Sequence, residues 1–384
     1  MHSKKRWLLF AIAVAVIVVV SGVVYTQRSI GPREYQFGAI LPLTGDMARL
    51  GEPKRDAIQM AIDEINRLGG IDGKSLTLRL EDSKAKPEDG VTILQRLIDL
   101  NGIRMFYVDI TGVALSAAPI ASARGVVMFA GSAHPSITVG HLGVFRIFTS
   151  GAQEAKILSE YLVGRGVKTA FVLYVDDPLG QDTKTVFERL FQERGGKLVG
   201  SEKFKSGAQE FRSILSKAKA SGADTVAVFD YGVTLPQILQ QARQAGISSE
   251  KITGNIGFVG PGVVRLDAVL KEGVVFTGPA FTYRILSEAS SPAMQTFIRE
   301  YEARTKKLPD YTAAFAYDTI KLLSAALKGT GGDPQKLKNN LLSTREFPGV
   351  TGNITILPNG DSSTDMVLAT YKSGKIVSLD GSSK

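Results

Sequence analysis

The sequence predicts an α/β protein of two lobes, each a mostly parallel sheet flanked by helices. Three observations predict it. The stretch 37–82 reads as strand, tight loop, helix, glycine stop and strand. The same alternation recurs along most of the remaining chain, and at this spacing it implies parallel sheets. A length of 384 residues suits two domains of ordinary size.

Phe37, Ala39, Ile40 and Leu41 form the first apolar run, which stops at Pro42 because proline cannot donate to a sheet ladder. Thr44, Gly45 and Asp46 are turn residues. Over 54–68, Ala57, Ile58, Ala61, Ile62, Ile65 and Leu68 recur at helical spacing, with Asp56, Asp63, Glu64 and Arg67 opposite. Gly69 and Gly70 end that helix, since glycine enters the left-handed cap without a Cβ clash. Leu76, Leu78 and Leu80 alternate as a strand. Pro87 suits the first turn of a helix over 87–100, with Val91, Leu94, Leu97 and Ile98 as its stripe. A buried strand is expected over 105–110, a helix opening at Thr111–Gly112 and ending at Gly125, and a strand over 126–130. Val144, Phe145 and Arg146 lead into Ser150, which with Gln153 reads as a capping box for a helix to about 165.

The second half repeats the pattern. Strands are expected over 169–175, 197–204, 225–229 and 251–254, with helices over 180–194, 209–220 and 235–244. Segment 273–281 carries the chain back. Further helices start at Ser291–Pro292 and Asp333–Pro334, and another spans 312–327. Strands 366–371 and 375–378 close as a hairpin around Ser373–Gly374.

Composition narrows the function. A hydrophobic share of 44% and a charged share of 22% are those of a globular chain. Cysteine is absent, so neither a disulfide framework nor a cysteine metal site exists. His2, His134 and His141 are too scattered for a His-rich metal site. The net charge is +9, and three of the positive charges are Lys4, Lys5 and Arg6. Elsewhere basic residues are interleaved with acids, which reads as a solvated surface and not a nucleic-acid patch. Those three residues precede an uncharged run over 7–25, and Val20-Ser21-Gly22 offers a cleavage site. The run also approaches the ~20 apolar residues that span a bilayer. Residues 1–30 therefore fit a cleaved signal peptide or a retained anchor, and either places the body outside the cytoplasm.

Catalytic signatures fail. Gly73-Lys74-Ser75 lacks the earlier glycine of a P-loop, since Leu68 stands there, and it follows a helix instead of a strand. No GxSxG, HExxH or complete GxGxxG occurs. No cofactor is expected, and the chain does not read as an enzyme. What remains is a set of strand-end loops. Thr111–Gly112 places a hydroxyl and backbone N–H groups at a helix N-terminus, which binds carboxylate through unpaired donors and the dipole. The bland alternative is that Thr111 caps its own helix.

LPLTG at 41–45, the helix ending DEINRLGG, IDGKSLTLRLED and the later Gly/Pro landmarks resemble the leucine/isoleucine/valine-binding-protein family, over about 36–377. The resemblance implies the two-lobed type I periplasmic-binding-protein fold with three interlobe crossings. Lobe 1 would comprise 35–148 and 281–350, and lobe 2 would comprise 149–280 and 351–380. It implies a substrate-binding protein of an ABC importer, a monomer that captures a small solute by cleft closure and hands it to a membrane permease. A ligand-sensing ectodomain that signals to a membrane partner is the alternative. Thr111 matches the family's ligand-gripping hydroxyl, Gly131 and Ser132 match further contacts, Tyr231 an aromatic covering the ligand, and Asn255 a polar contact. Three positions depart: Ala133 where family members that hold α-amino acids usually have Thr, Leu50 where they have an aromatic, and Leu179 where they have Tyr. His134 is new beside the missing hydroxyl, and Asp109, Asp176 and Asp230 end strands facing the cleft. The expected ligand has one carboxylate or carbonyl end at Thr111 and Ser132 and a mostly apolar body.

Overall fold

The computed structural model describes residues 34–230, 234–286 and 290–379. The apolar run within 1–30 lies outside them. Among the described residues no helix is long and apolar enough to cross a membrane.

The first sheet takes the order β2-β1-β3-β4-β5, all parallel. Its strands are β1 (Glu34–Leu41), β2 (Ser75–Asp82), β3 (Met105–Asp109), β4 (Val127–Gly131) and β5 (Val144–Arg146). Helices α1 (Ala48–Arg67), α2 (Pro87–Asp99) and α3 (Thr111–Ala123) connect the first four strands. In β3, Met105 and Tyr107 enter one apolar cluster and Phe106 and Val108 another. A parallel strand covered on both faces needs such a continuous apolar run, which is why the sequence there does not alternate.

After α4 (Gly151–Gly164) comes the second sheet, in the order β15-β14-β10-β9-β8-β6-β7. Strands β6 (Thr169–Val175), β7 (Lys197–Phe204), β8 (Thr225–Phe229), β9 (Ile252–Gly254) and β10 (Val275–Pro279) run parallel. They are linked through α5 (Pro178–Glu193), α6 (Arg212–Ala220), α7 (Leu235–Gln244), α8 (Pro261–Val264) and α9 (Ala268–Lys271). The chain returns to the first lobe through α10 (Ala280–Leu286), α11 (Pro292–Thr305), α12 (Tyr311–Leu327) and α13 (Pro334–Leu342), with α11 and α12 packed on α1. A small antiparallel sheet follows, β11 (Phe347–Gly349), β12 (Gly352–Ile356) and β13 (Ser362–Ser363). The expected final hairpin is present: β14 (Met366–Lys372) and β15 (Lys375–Ser378) pair antiparallel. Ser373 and Gly374 both have positive φ, 52° and 75°, as a tight hairpin turn requires.

Two expectations differ in detail. The chain does not leave the first lobe between 350 and 351, where the third crossing was expected over 349–358. Ile354 and Ile356 enter the apolar cluster of the first lobe, and the crossing follows between β13 and β14. The buried Asp318 of α12 holds the turn there, accepting from Val350 N at 2.8 Å and from Thr351 N at 2.9 Å. Ser150 and Gln153 form no capping box. Ser150 makes no side-chain cap, and the Gln153 amide instead donates to the Thr364 carbonyl at 3.3 Å in the third crossing.

Candidate ligand-binding cleft

Strands β3 and β4 are neighbours in register, with Asp109 opposite Gly131. The loops that leave their carboxyl ends therefore lie side by side. Thr111 opens α3 and Ser132 follows β4, and their hydroxyl oxygens are 2.7 Å apart. The N-cap position is Ile110, and no side chain caps the helix. Thr111 thus does not spend its hydroxyl as its own cap, and the first N–H groups of α3 have no intrahelical acceptor. Ile110 holds φ at 67°, a region that a β-branched residue rarely visits and that accumulates at functional loops.

Glycine at 131 is a steric requirement. A Cβ there would stand 2.2 Å from the Tyr107 hydroxyl oxygen. Gly112 is less constrained, with Pro87 Cγ 3.4 Å from the position of its Cβ. Ser132, Ala133 and His134 are all buried. His134 Nδ1 accepts from Ser136 N at 3.2 Å, which leaves the ring proton to Nε2. Burial holds the His134 pKa below its usual value, with Asp182 and Asp177 of the second lobe opposing.

Across the strand ends, Asp177 caps α5 by accepting from Gly180 N at 2.8 Å. Leu179 in that first turn joins the same apolar cluster as Ala133 and Phe148, so the two lobes meet there. Asn255, just beyond β9, accepts at its Oδ1 from Asp230 N at 3.3 Å. Asp230 is buried and accepts from Thr234 N at 3.0 Å, and Asp176 pairs with Lys203 at 3.0 Å. Leu50 is half-buried on α1. Tyr231 lies outside the described residues. Two grooves on the second lobe, one beside Arg243 and one beside Lys184 and Lys203, involve none of these positions.

Three charged groups in this region escaped the sequence reading of the site. Lys54 on α1 reaches both carboxylate oxygens of Asp109 at 2.6 and 2.7 Å, with both side chains nearly fully buried. Its ammonium also stands 5.8 Å from the centre of the Phe148 ring. Lys54 precedes Ala57, Ile58 and Ala61 on the apolar stripe, and a lysine on that stripe was the available signal. Arg146 is fully buried at the end of β5. Glu154, in the first turn of α4, is buried too and accepts at Oε2 from Ile256 N at 2.8 Å and from the Thr277 hydroxyl at 3.2 Å. Burial pushes the Glu154 pKa up to about 7 despite those donors. Among the described residues no group of His, Asp and Glu is placed to hold a metal ion.

Two mostly parallel α/β lobes joined by three crossings, with strand-end loops meeting between them, give the architecture of two-lobed solute-binding proteins. The chain belongs to the periplasmic binding protein family, whose sequence model matches residues 34–375. A Leu/Ile/Val-binding protein homolog 3 from Brucella melitensis biotype 1 is 24% identical over 382 residues, covering 97% of this chain and 99% of that protein. The branched-chain amino acid transporter substrate-binding protein LivJ from Streptococcus pneumoniae, solved with isoleucine, matches with a TM-score of 0.77 at 26% identity, covering 90% of this chain and 99% of that one. An ABC-transporter solute-binding protein from R. palustris, solved with benzoate, shares the fold with a TM-score of 0.78 at 22% identity, covering 90% and 95% of the two chains. The family is one of solute-binding proteins and not of enzymes.

Proposed function

We propose that the protein is an extracytoplasmic substrate-binding protein of an ABC importer, working as a monomer that delivers its solute to a membrane permease. The observation that carries this reading is the hydroxyl pair of Thr111 and Ser132 beside the uncapped N-terminus of α3. Such a corner supplies hydrogen bonds and a positive dipole end to one carboxylate. Ala133 and Leu179 add apolar surface beside it, and Asp109 and Lys54 neutralise each other. The ligand is therefore a small solute with one carboxylate or carbonyl end and a mostly apolar body, an amino acid being one candidate. The isoleucine and benzoate complexes of its relatives belong to these two solute classes. Capture proceeds by closure of the lobes about the three crossings, with 35–148 and 281–363 moving as one body.

The basic residues 4–6 and the apolar run after them support a second reading, in which a retained anchor makes the same body a sensing ectodomain. Neighbouring permease and ATPase genes separate the two readings, and N-terminal sequencing of the mature chain decides the fate of that run. A start at Val23 means cleavage.

The ligand is tested by a thermal-shift panel of amino acids, small carboxylates, amides and aromatic acids. A ligand at a hundred times its Kd adds about 2.7 kcal/mol of stability. Apolar monocarboxylates should lead the panel and their neutral amides should fall behind. A panel led by the neutral amides would sink the carboxylate assignment.

A further inference from the structure

We propose that Arg146 is a positioning residue that couples the 131–134 loop to the hinge, so that the loop and the angle between lobes change together. This rests on the closure reading above and names the residue through which closure is transmitted.

Arg146 touches three separate segments. Its Nη1 donates to the Ala133 carbonyl at 2.7 Å, in the candidate ligand loop. The same nitrogen donates to the Thr149 carbonyl at 2.8 Å, in the first crossing, between β5 and α4. Its Nη2 meets the carboxylate of Asp361, which leads into the third crossing. The Arg146 backbone N–H adds a bond to the Gly360 carbonyl at 2.9 Å. Gly360 approaches so closely that a Cβ would stand 2.3 Å from the Val144 carbonyl oxygen, and its φ of +83° suits only glycine. Asp361 is itself held, accepting from Ser362 N at 2.8 Å at its other oxygen. The Gln153–Thr364 bond ties the start of α4, just beyond the first crossing, to the third crossing.

A packing role alone would not select this residue. Burying a guanidinium carries a large desolvation cost, and an apolar side chain of similar volume usually fills such a space at least as well. A planar fork of fixed donors is suited to holding several acceptors at set angles. Here the acceptors belong to the ligand loop, to the first crossing, which absorbs dihedral change when the lobes rotate, and to Asp361 just ahead of the third crossing. A ligand that engages Ser132 acts on the Ala133 carbonyl next to it, and through one guanidinium on the first crossing and on the approach to the third.

The test uses the absence of cysteine from the sequence. Leu100→Cys and Lys197→Cys introduce two exposed labelling sites, one on each lobe. Electron–electron double resonance then reads the interlobe distance in the otherwise native chain, in Arg146→Lys and in Asp361→Asn. The measurement is made without ligand and with leucine or benzoate as probes. Both variants should broaden or displace the ligand-free distance distribution. Whichever probe binds should do so roughly tenfold more weakly, as expected when the closure-competent fraction falls. A lowered melting temperature with the wild-type distribution retained would reduce Arg146 to a structural role and overturn the proposal. Asp361→Asn preserves the shape of the partner and decides the matter if Arg146→Lys does not fold. A wild-type chain whose distance ignores every solute of the panel would instead count against closure itself, and the ligand-free comparison would still decide the role of Arg146.

Discussion

Thr111 and Ser132 share a hydrogen bond of 2.7 Å between side chains that leave two adjacent parallel strands. Each hydroxyl can both donate and accept, so after their mutual bond the pair keeps one proton and three lone pairs for other partners.

Thr111→Val should weaken ligand binding by roughly 1–3 kcal/mol, the cost of leaving buried polar partners unsatisfied. Fold stability should change little, because Thr111 caps nothing. Calorimetry on the variant checks this. Wild-type affinity would make the pair a local tether with no part in binding.

Lys54→Met should destabilise the fold by about 3–5 kcal/mol, because it leaves the Asp109 carboxylate buried without its counter-charge. The double variant Lys54→Met, Asp109→Leu should recover most of that loss. Urea unfolding of both variants gives the answer. A single variant as stable as the double would show that the pair is not electrostatically coupled.

Glu154 makes stability depend on pH. Its folded pKa is raised from 4.5 to about 7, so the native state binds that proton more tightly than the unfolded chain does. Stability is therefore greatest below about pH 4.5 on this account and falls as pH rises toward 7, by at most about 3 kcal/mol. Asp318, raised from 3.8 to about 6, acts in the same direction over a lower window. Glu154→Gln keeps an acceptor for Ile256 N and removes the titration. Its unfolding midpoint should lose much of the decline seen in the wild type between pH 5 and 7. Parallel pH profiles would rule Glu154 out as the source.

Gly131→Ala should cost about 1–3 kcal/mol, since the added carbon meets the Tyr107 hydroxyl oxygen at 2.2 Å and the loop must shift. The same shift moves Ser132, so affinity should fall with stability. Melting temperature and calorimetry on one sample test both, and an unperturbed variant would mean that the Tyr107 ring can move aside.

The sequence by itself determined the α/β alternation, the glycine stops, the final hairpin and the position of Thr111 at a strand-to-helix corner. These features are local: apolar period, cap chemistry and turn residues act over a few neighbours. It also placed Asp109 at the end of a strand. Only the tertiary structure decided what that carboxylate does, because its partner Lys54 is 55 positions away, and a lysine on an apolar stripe does not say which acid it meets. The Ser150–Gln153 box failed for the same reason, since the third crossing, 211 positions on, takes the Gln153 amide. Arg146 shows the limit most clearly. Its acceptors at Ala133, Thr149 and Asp361 come from segments that no period or spacing relates. Folding brings them together because a guanidinium removed from water must find every acceptor it can reach.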